Sequence, residues 1–246
     1  MAEYQTMRAG TITGARAAQI DEGLRAHMNK VYGLMSVGML LTAGVAWGVG
    51  TTDALMQIFR SPTGGMTILG WVVMFLPLVM VFAFGAMINR LSAAGAQLFF
   101  YTFAAAMGLS LAWIFQVFTG LSIAQTFLVT AIAFAGLSLW GYTTKKDLSG
   151  WGTFLMMGVI GLIVASIINI FLGSPAIMFA VSVLGVLIFA GLTAYDTQSI
   201  KNEYIEHAAA MDQEWLDKSA IMGALRLYLD FINMFTFLLQ FMGNRE

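Results

Sequence analysis

Two carboxylates stand where a membrane would make them costly. Asp196 ends an uncharged run from Leu148 to Tyr195, within Gly191-Leu192-Thr193-Ala194-Tyr195-Asp196-Thr197-Gln198. Asp230 lies inside the last apolar segment, Leu225-Arg226-Leu227-Tyr228-Leu229-Asp230-Phe231-Ile232-Asn233. An ionisable group at membrane depth is a functional-site hypothesis by default. Two such acids in a low-dielectric site do not both ionise cheaply. One takes up a proton, and the pair titrates as a unit. Asn233 follows one turn after Asp230 on the same helical face, and Tyr195 precedes Asp196, so the site offers oxygen ligands without thiolate or imidazole. That set suits a proton or a hard cation such as calcium. Calcium prefers about 6–8 oxygens, so Asp196 and Asp230 would bind it weakly, which fits passage better than storage.

Two arginines bear on this pair. Arg226 is four residues before Asp230 and shares its face. The plain alternative is that Arg226 and Asp230 neutralise each other, with Asp196 an ordinary interfacial residue at a helix end. A guanidinium such as Arg90 competing for the same carboxylates would make a switch: Asp–Asp with a shared proton in one state, Asp–Arg in the other.

The elements that carry these residues follow from composition. Of 246 residues, 59% are hydrophobic and 10% charged, against about 45–50% and about 25% in soluble domains. An all-α, polytopic membrane protein is expected. The apolar runs are continuous rather than alternating, which excludes a transmembrane barrel. A net charge of −1 gives no reason to expect nucleic acid, and the absence of Cys excludes disulfides, thiolate metal sites and cysteine nucleophiles. His27 and His207 both fall in polar stretches, which argues against a histidine metal cluster, and no cofactor is expected. The polar start has no signal-peptide h-region, so the first span should direct insertion.

A bilayer core takes about 20 helical residues to cross. Residues 1–30 read as a mobile cytoplasmic tail, helical from about Ala18, and residues 31–246 as the transmembrane domain. Span 1 is placed at Val31–Gly50 and span 2 at Met66–Ile88, with Pro77 inside it. The uncharged stretch 91–144 is too long for one crossing and divides near Thr119-Gly120-Leu121-Ser122, giving spans 3 (Ala94–Val117) and 4 (Ile123–Tyr142). The next divides at Gly173-Ser174-Pro175, giving spans 5 (Gly152–Leu172) and 6 (Ala176–Asp196). Span 7 is Ser219–Met242. Gly44-Val45-Ala46-Trp47-Gly48 reads as a close-packing GxxxG.

Seven spans put the termini on opposite sides. With the N-terminus inside, Arg8, Arg16, Arg25, Lys30, Arg90, Lys145, Lys146, Lys201, Lys218 and Arg226 all fall inside, and only Arg60 and Arg245 outside. One geometric tension remains. At 1.5 Å per residue, Asp196 lies about 30 Å from the outer end of span 6 but Asp230 only about 18 Å from that of span 7. They meet if span 7 stops short of the outer surface, which a helix surrounded by protein is free to do.

At Ala194-Tyr195-Asp196-Thr197-Gln198 and Leu229-Asp230-Phe231-Ile232-Asn233, and over nearly the whole chain, the sequence resembles the Bax inhibitor-1 (transmembrane Bax-inhibitor-motif) family. The resemblance implies a central seventh helix, a calcium leak regulated by pH, and a pH-sensing pair at Asp196 and Asp230. It implies a latching arginine at the inner end of span 2, which Arg90 fits by position. It points to the bacterial branch, hence the inner (plasma) membrane, and to modulation of a membrane-bound protease as a further role.

Three functions compete. The leading one is a pH-gated calcium leak channel. The second is a non-conducting membrane regulator that binds a membrane protease or another partner through the N-terminal tail and the 202–218 loop. The third is an intramembrane aspartyl protease, with one aspartate as base and the other as acid. Against the protease, Leu227-Tyr228-Leu229 precedes Asp230 where that chemistry's family has Gly-x-Gly, and no Pro-Ala-Leu follows. The chain is therefore expected not to be an enzyme.

Overall fold

The computed structural model describes residues 2–61, 65–207, 210 and 212–244, with side chains from residue 20 onward. The expected loop residues Pro62 and Gly64, the side chains of Arg8 and Arg16, and Arg245 lie outside the described residues. Within them the chain folds as α1 (Ala2–Gly50), a short α2 (Asp53–Phe59), α3 (Ile68–Met87), α4 (Ala93–Leu111) with a 3-10 turn at Ala112–Gln116, α5 (Gly120–Thr143), α6 (Trp151–Leu172), α7 (Pro175–His207) and α8 (Gln213–Met242). No strand occurs among the described residues; Arg60 and Met66 form an isolated bridge. Seven helices are long and apolar enough to span a membrane. The all-α, seven-span expectation is borne out.

The two inferred breaks are real, and each has a local cause. Thr119 caps α5, its hydroxyl accepting from the Ser122 N–H at 3.2 Å. Gly173 takes the left-handed conformation that ends a helix, φ 58°. Asn169 then accepts from the Ser174 N–H at 3.0 Å.

α1 runs unbroken through residue 30 into the first span, as expected from about Ala18, but Leu24, His27 and Met28 are already buried, unlike a free tail. The polar stretch hid this because His27 turns inward, its ring tilted against that of Tyr204 of α7 with centroids 4.8 Å apart. One boundary differs from expectation: α7 does not stop at Asp196 but continues to His207. Its last turns are packed, with Thr197, Gln198, Ile200 and Tyr204 buried. Gln198 also fastens the α5–α6 loop, accepting from the Leu148 N–H and donating to the Lys146 carbonyl, both at 2.8 Å.

The face carrying Lys30 and the start of α8 is here the near face, joined there by the Lys30–Asp217 ion pair at 2.7 Å. The opposite face is the far face. α8 is the central helix. Its most apolar window is 61% inside the protein, against 11% to 39% for the other spans. It packs directly on α1, α4, α5 and α7, while α3 lies outside α4 and α6 outside α7. Close crossings use Gly141, whose missing side chain admits the Ala194 carbonyl, and Gly108 against the backbone of Thr42. The GxxxG at Gly44 and Gly48 is not one of them; both glycines face open space.

Candidate functional site

α7 and α8 run antiparallel, and their register is set by contacts along the seam. Toward the far face the Ser182 hydroxyl donates to Gln240 Oε1 at 3.4 Å, and Phe237 fills the space over Gly185. Toward the near face Arg226 Nη1 lies 3.6 Å from Glu203 Oε2. Between these points Asp196 and Asp230 fall opposite each other, within hydrogen-bonding reach. The lengths that seemed to part them are reconciled because α8 is short at the far face. There its end is seated on the start of α5: the Asn244 N–H donates to Ser122 Oγ at 2.9 Å, and the Thr119 N–H donates to the Asn244 carbonyl at 3.2 Å.

The two acids are not equivalent. Asp230 is 4% exposed and its Oδ2 has no hydrogen-bond partner among the described residues. Asp196 is partly buried. An ionised carboxylate only accepts, so two of them in contact are joined by a hydrogen bond only if one holds a proton. The pair sits between two cavities along the seam. The near one, about 420 Å³, includes Tyr195, Asn202, Glu203 and Arg226 in its lining. The far one, about 360 Å³, includes Asn169, Asn233, Thr236 and Gln240. On α8, Asp230 separates Arg226 of the near cavity from Asn233 of the far one.

The supporting residues divide accordingly. Arg226 is paired to Glu203 rather than to Asp230, yet it is close enough for its charge to act on both aspartates. Asn233 donates to its own helix at Leu229, 2.8 Å, and lines the far cavity without touching the acids. Tyr195 faces the start of α6, where a side chain at Gly152 would strike its ring. Arg90 is not brought to the pair. It is exposed on the turn after α3, and α3 packs mainly on α4 and α2. In this conformation the cation beside the aspartates is Arg226. No group of three or more His, Cys, Asp or Glu side chains fit to hold a metal occurs among the described residues, so a cation at this site would meet two carboxylates.

Several polar contacts around the site were not foreseen. Tyr228, two residues before Asp230, points the opposite way. Its hydroxyl lies 2.6 Å from Thr42 Oγ1, which also donates to the Ala104 carbonyl at 2.8 Å. This ties α8 to α1 and α4. Ser138 and Thr197 hydroxyls meet at 3.2 Å and tie α5 to α7. Lys201 donates to the Tyr142 carbonyl at 2.8 Å. A tyrosine in an otherwise apolar turn was the one signal available for the first of these.

Comparison with known proteins agrees with this architecture. The family model described as "Inhibitor of apoptosis-promoting Bax1" matches residues 24–246. The chain is 48% identical over 224 residues to the inner membrane protein YbhL of Escherichia coli K12, covering 91% of this chain and 94% of that one. It is 45% identical over 252 residues to an uncharacterised protein of Caulobacter vibrioides, covering all of both chains. Its identity to protein RP147 of Rickettsia prowazekii is 42%, over 95% of this chain and 96% of the relative. With seven membrane-length helices packed around the last of them, and relatives matching end to end, the chain belongs to the Bax inhibitor-1 family of multi-pass membrane proteins.

Proposed function

We propose that the protein is a pH-sensitive calcium leak pathway of the bacterial inner membrane, closed by the Asp196–Asp230 pair. The observation that carries this is the position of the two acids, opposite each other on α7 and α8 at a level between the near and far cavities. With one shared proton the pair is a closed hydrogen-bonded plug. Loss of that proton leaves two like charges side by side, with Arg226 and its partner Glu203 the charges next to them. Like charges repel strongly where water is scarce. The pair then parts, and the two freed carboxylates become a weak, transient cation site. Arg90 serves as the latch in a second conformation. In that conformation α3, held here mainly by α4 and α2, would swing inward to bring it to the carboxylates.

The reading is non-enzymatic. Peptide hydrolysis needs water and substrate at both carboxylates, and neither aspartate lines the near or the far cavity. The test is calcium flux from liposomes across pH 6–8. Leak through the unmodified protein should rise with pH, and Asp196→Asn and Asp230→Asn should flatten the response. Both variants following the unmodified profile would refute the gate.

A second reading has one observation in its favour. The matching family model is described as an inhibitor of another protein. A non-conducting regulator would bind a membrane protease or another partner through the N-terminal segment and the α7–α8 loop. A co-purifying partner retained in Asp196→Asn but lost on deleting residues 1–25, together with silent flux assays, would favour it.

A further inference from the structure

A cavity larger than the two beside the seam is lined by neither aspartate, and nothing assigned above uses it. It is a groove of about 710 Å³ between α1 and α5. α1 packs mainly on α4 and α8, and α5 on α7 and α8, which leaves a gap between α1 and α5. The gap between them is floored by Phe134 of α5 and Phe231 of α8 and walled by Met39 and Ala135. Leu40 and Leu139, both exposed within the spans, are part of its lining, so it is open toward the side of the bundle, where the bilayer lies. Its chemistry changes along its length. The deep part is apolar, while the near-face end is lined by Arg25, Asn29 and Tyr142. Arg25 is exposed and has no ion-pair partner among the described residues. Tyr142 is fixed in place by Lys201, whose Nζ also sits 5.2 Å from its ring centroid.

We propose that this groove binds one glycerophospholipid of the near leaflet, with its phosphate at Arg25 and one acyl chain laid along α1 and α5 over Phe231. Three observations select this occupant. The groove is open laterally within the spans, so what reaches it is what the membrane contains. Its α1 wall from Asn29 to Ala43 is about 21 Å long, more than the roughly 15 Å of hydrocarbon in one leaflet. The polar end sits at the helix termini, at headgroup level, and offers a guanidinium fork that matches phosphate geometry, with amide and phenol donors beside it. The proposal is independent of what, if anything, the aspartate pair lets through.

The test uses the full chain in liposomes containing a few per cent of a phosphatidylethanolamine whose acyl chain carries a photoactivatable diazirine. Attachment sites are then mapped by mass spectrometry. Label should concentrate several-fold on residues 35–43 and 127–135 relative to the exposed face of α6 around Phe154, Ile163 and Phe171. Ala135→Trp, which fills the groove from an exposed position, and Arg25→Gln should each cut groove labelling several-fold and leave α6 labelling unchanged. The unchanged α6 signal reports that the variants are folded. Equal labelling of groove and α6 would mean ordinary surrounding lipid and would overturn the proposal. So would groove labelling that Ala135→Trp and Arg25→Gln both leave unchanged.

Discussion

Tyr228 and Asp230 are two residues apart on one helix and serve opposite sides of it. A two-residue step turns an α-helix by roughly 200°, so when Asp230 meets α7, Tyr228 meets α1 and α4. It packs edge-on against Phe100 and Phe103 and closes on Thr42. The two hydroxyls are unequal in what they leave behind. Tyr228→Phe leaves the single Thr42 hydroxyl proton with a carbonyl acceptor, Ala104 or Gly38, and should cost about 1 kcal/mol. Thr42→Val strands the buried Tyr228 hydroxyl and should cost more, roughly 1–3 kcal/mol. Thermal unfolding in detergent, comparing both variants with the parent, checks the order; a milder Thr42→Val would contradict it. At this scale the acids were legible because a charge inside an apolar run has few innocent explanations. Thr42 was not, because a hydroxyl on a helix always has its own backbone carbonyl one turn back and so needs no special reason to be there. The arginines were legible as residues but not as neighbours. Arg226 pairs across the seam to Glu203 on α7 rather than along its own helix, and no spacing rule reports that.

At the scale of elements, charge-free length and turn chemistry were enough. Thr119 and Gly173 ended helices where a single crossing would have been too long. The ends near the membrane surface were harder, because polarity there does not distinguish water from a polar partner. Leu24, His27 and Met28 lie in a stretch that reads as tail, and residues 197–207 lie past a carboxylate that reads as a helix end. Both are packed because residues 23–30 of α1, the start of α8 and the end of α7 meet at the near face. Glycines divide in the same way. The motif at Gly44 and Gly48 faces open space, while Gly141, which belongs to no motif, lets α5 lie against the α7 backbone. Gly141→Val should therefore destabilise by about 1–3 kcal/mol or more, and Gly44→Val by well under that. Melting temperatures in the same detergent would separate the two, and equal shifts would show that the α5–α7 contact is looser than described.

For the whole molecule, the distribution of Lys and Arg predicts that the near face is cytoplasmic. The natural sequence contains no Cys, so single cysteines report sidedness without background. A membrane-impermeant maleimide should label Arg60→Cys in intact cells with a permeable outer membrane, and Lys146→Cys only after the inner membrane is opened. The reverse pattern would invert the topology and move the near cavity, with Glu203 and Arg226, to the outside. That the last span is central was legible only through family resemblance and the need to bring two acids level. Its window of mean hydropathy 1.3, the lowest of the seven against 2.5 for α6, says that it is less apolar, not what surrounds it.

The central position of α8 has a consequence for assembly. α8 follows the other six spans in the chain, so it leaves the ribosome after them, and it carries a buried acid that costs about 2.5–3.5 kcal/mol to place in lipid alone when charged. The six earlier helices must wait with an unfilled middle, exposing Thr42, Phe100 and Phe103 where Tyr228 will sit. They act as a receptacle for a segment that would insert poorly by itself. Synthesis halted before residue 213 should yield membrane-embedded chains that are rapidly cleared by quality-control proteolysis, and supplying α8 as a separate polypeptide should protect them.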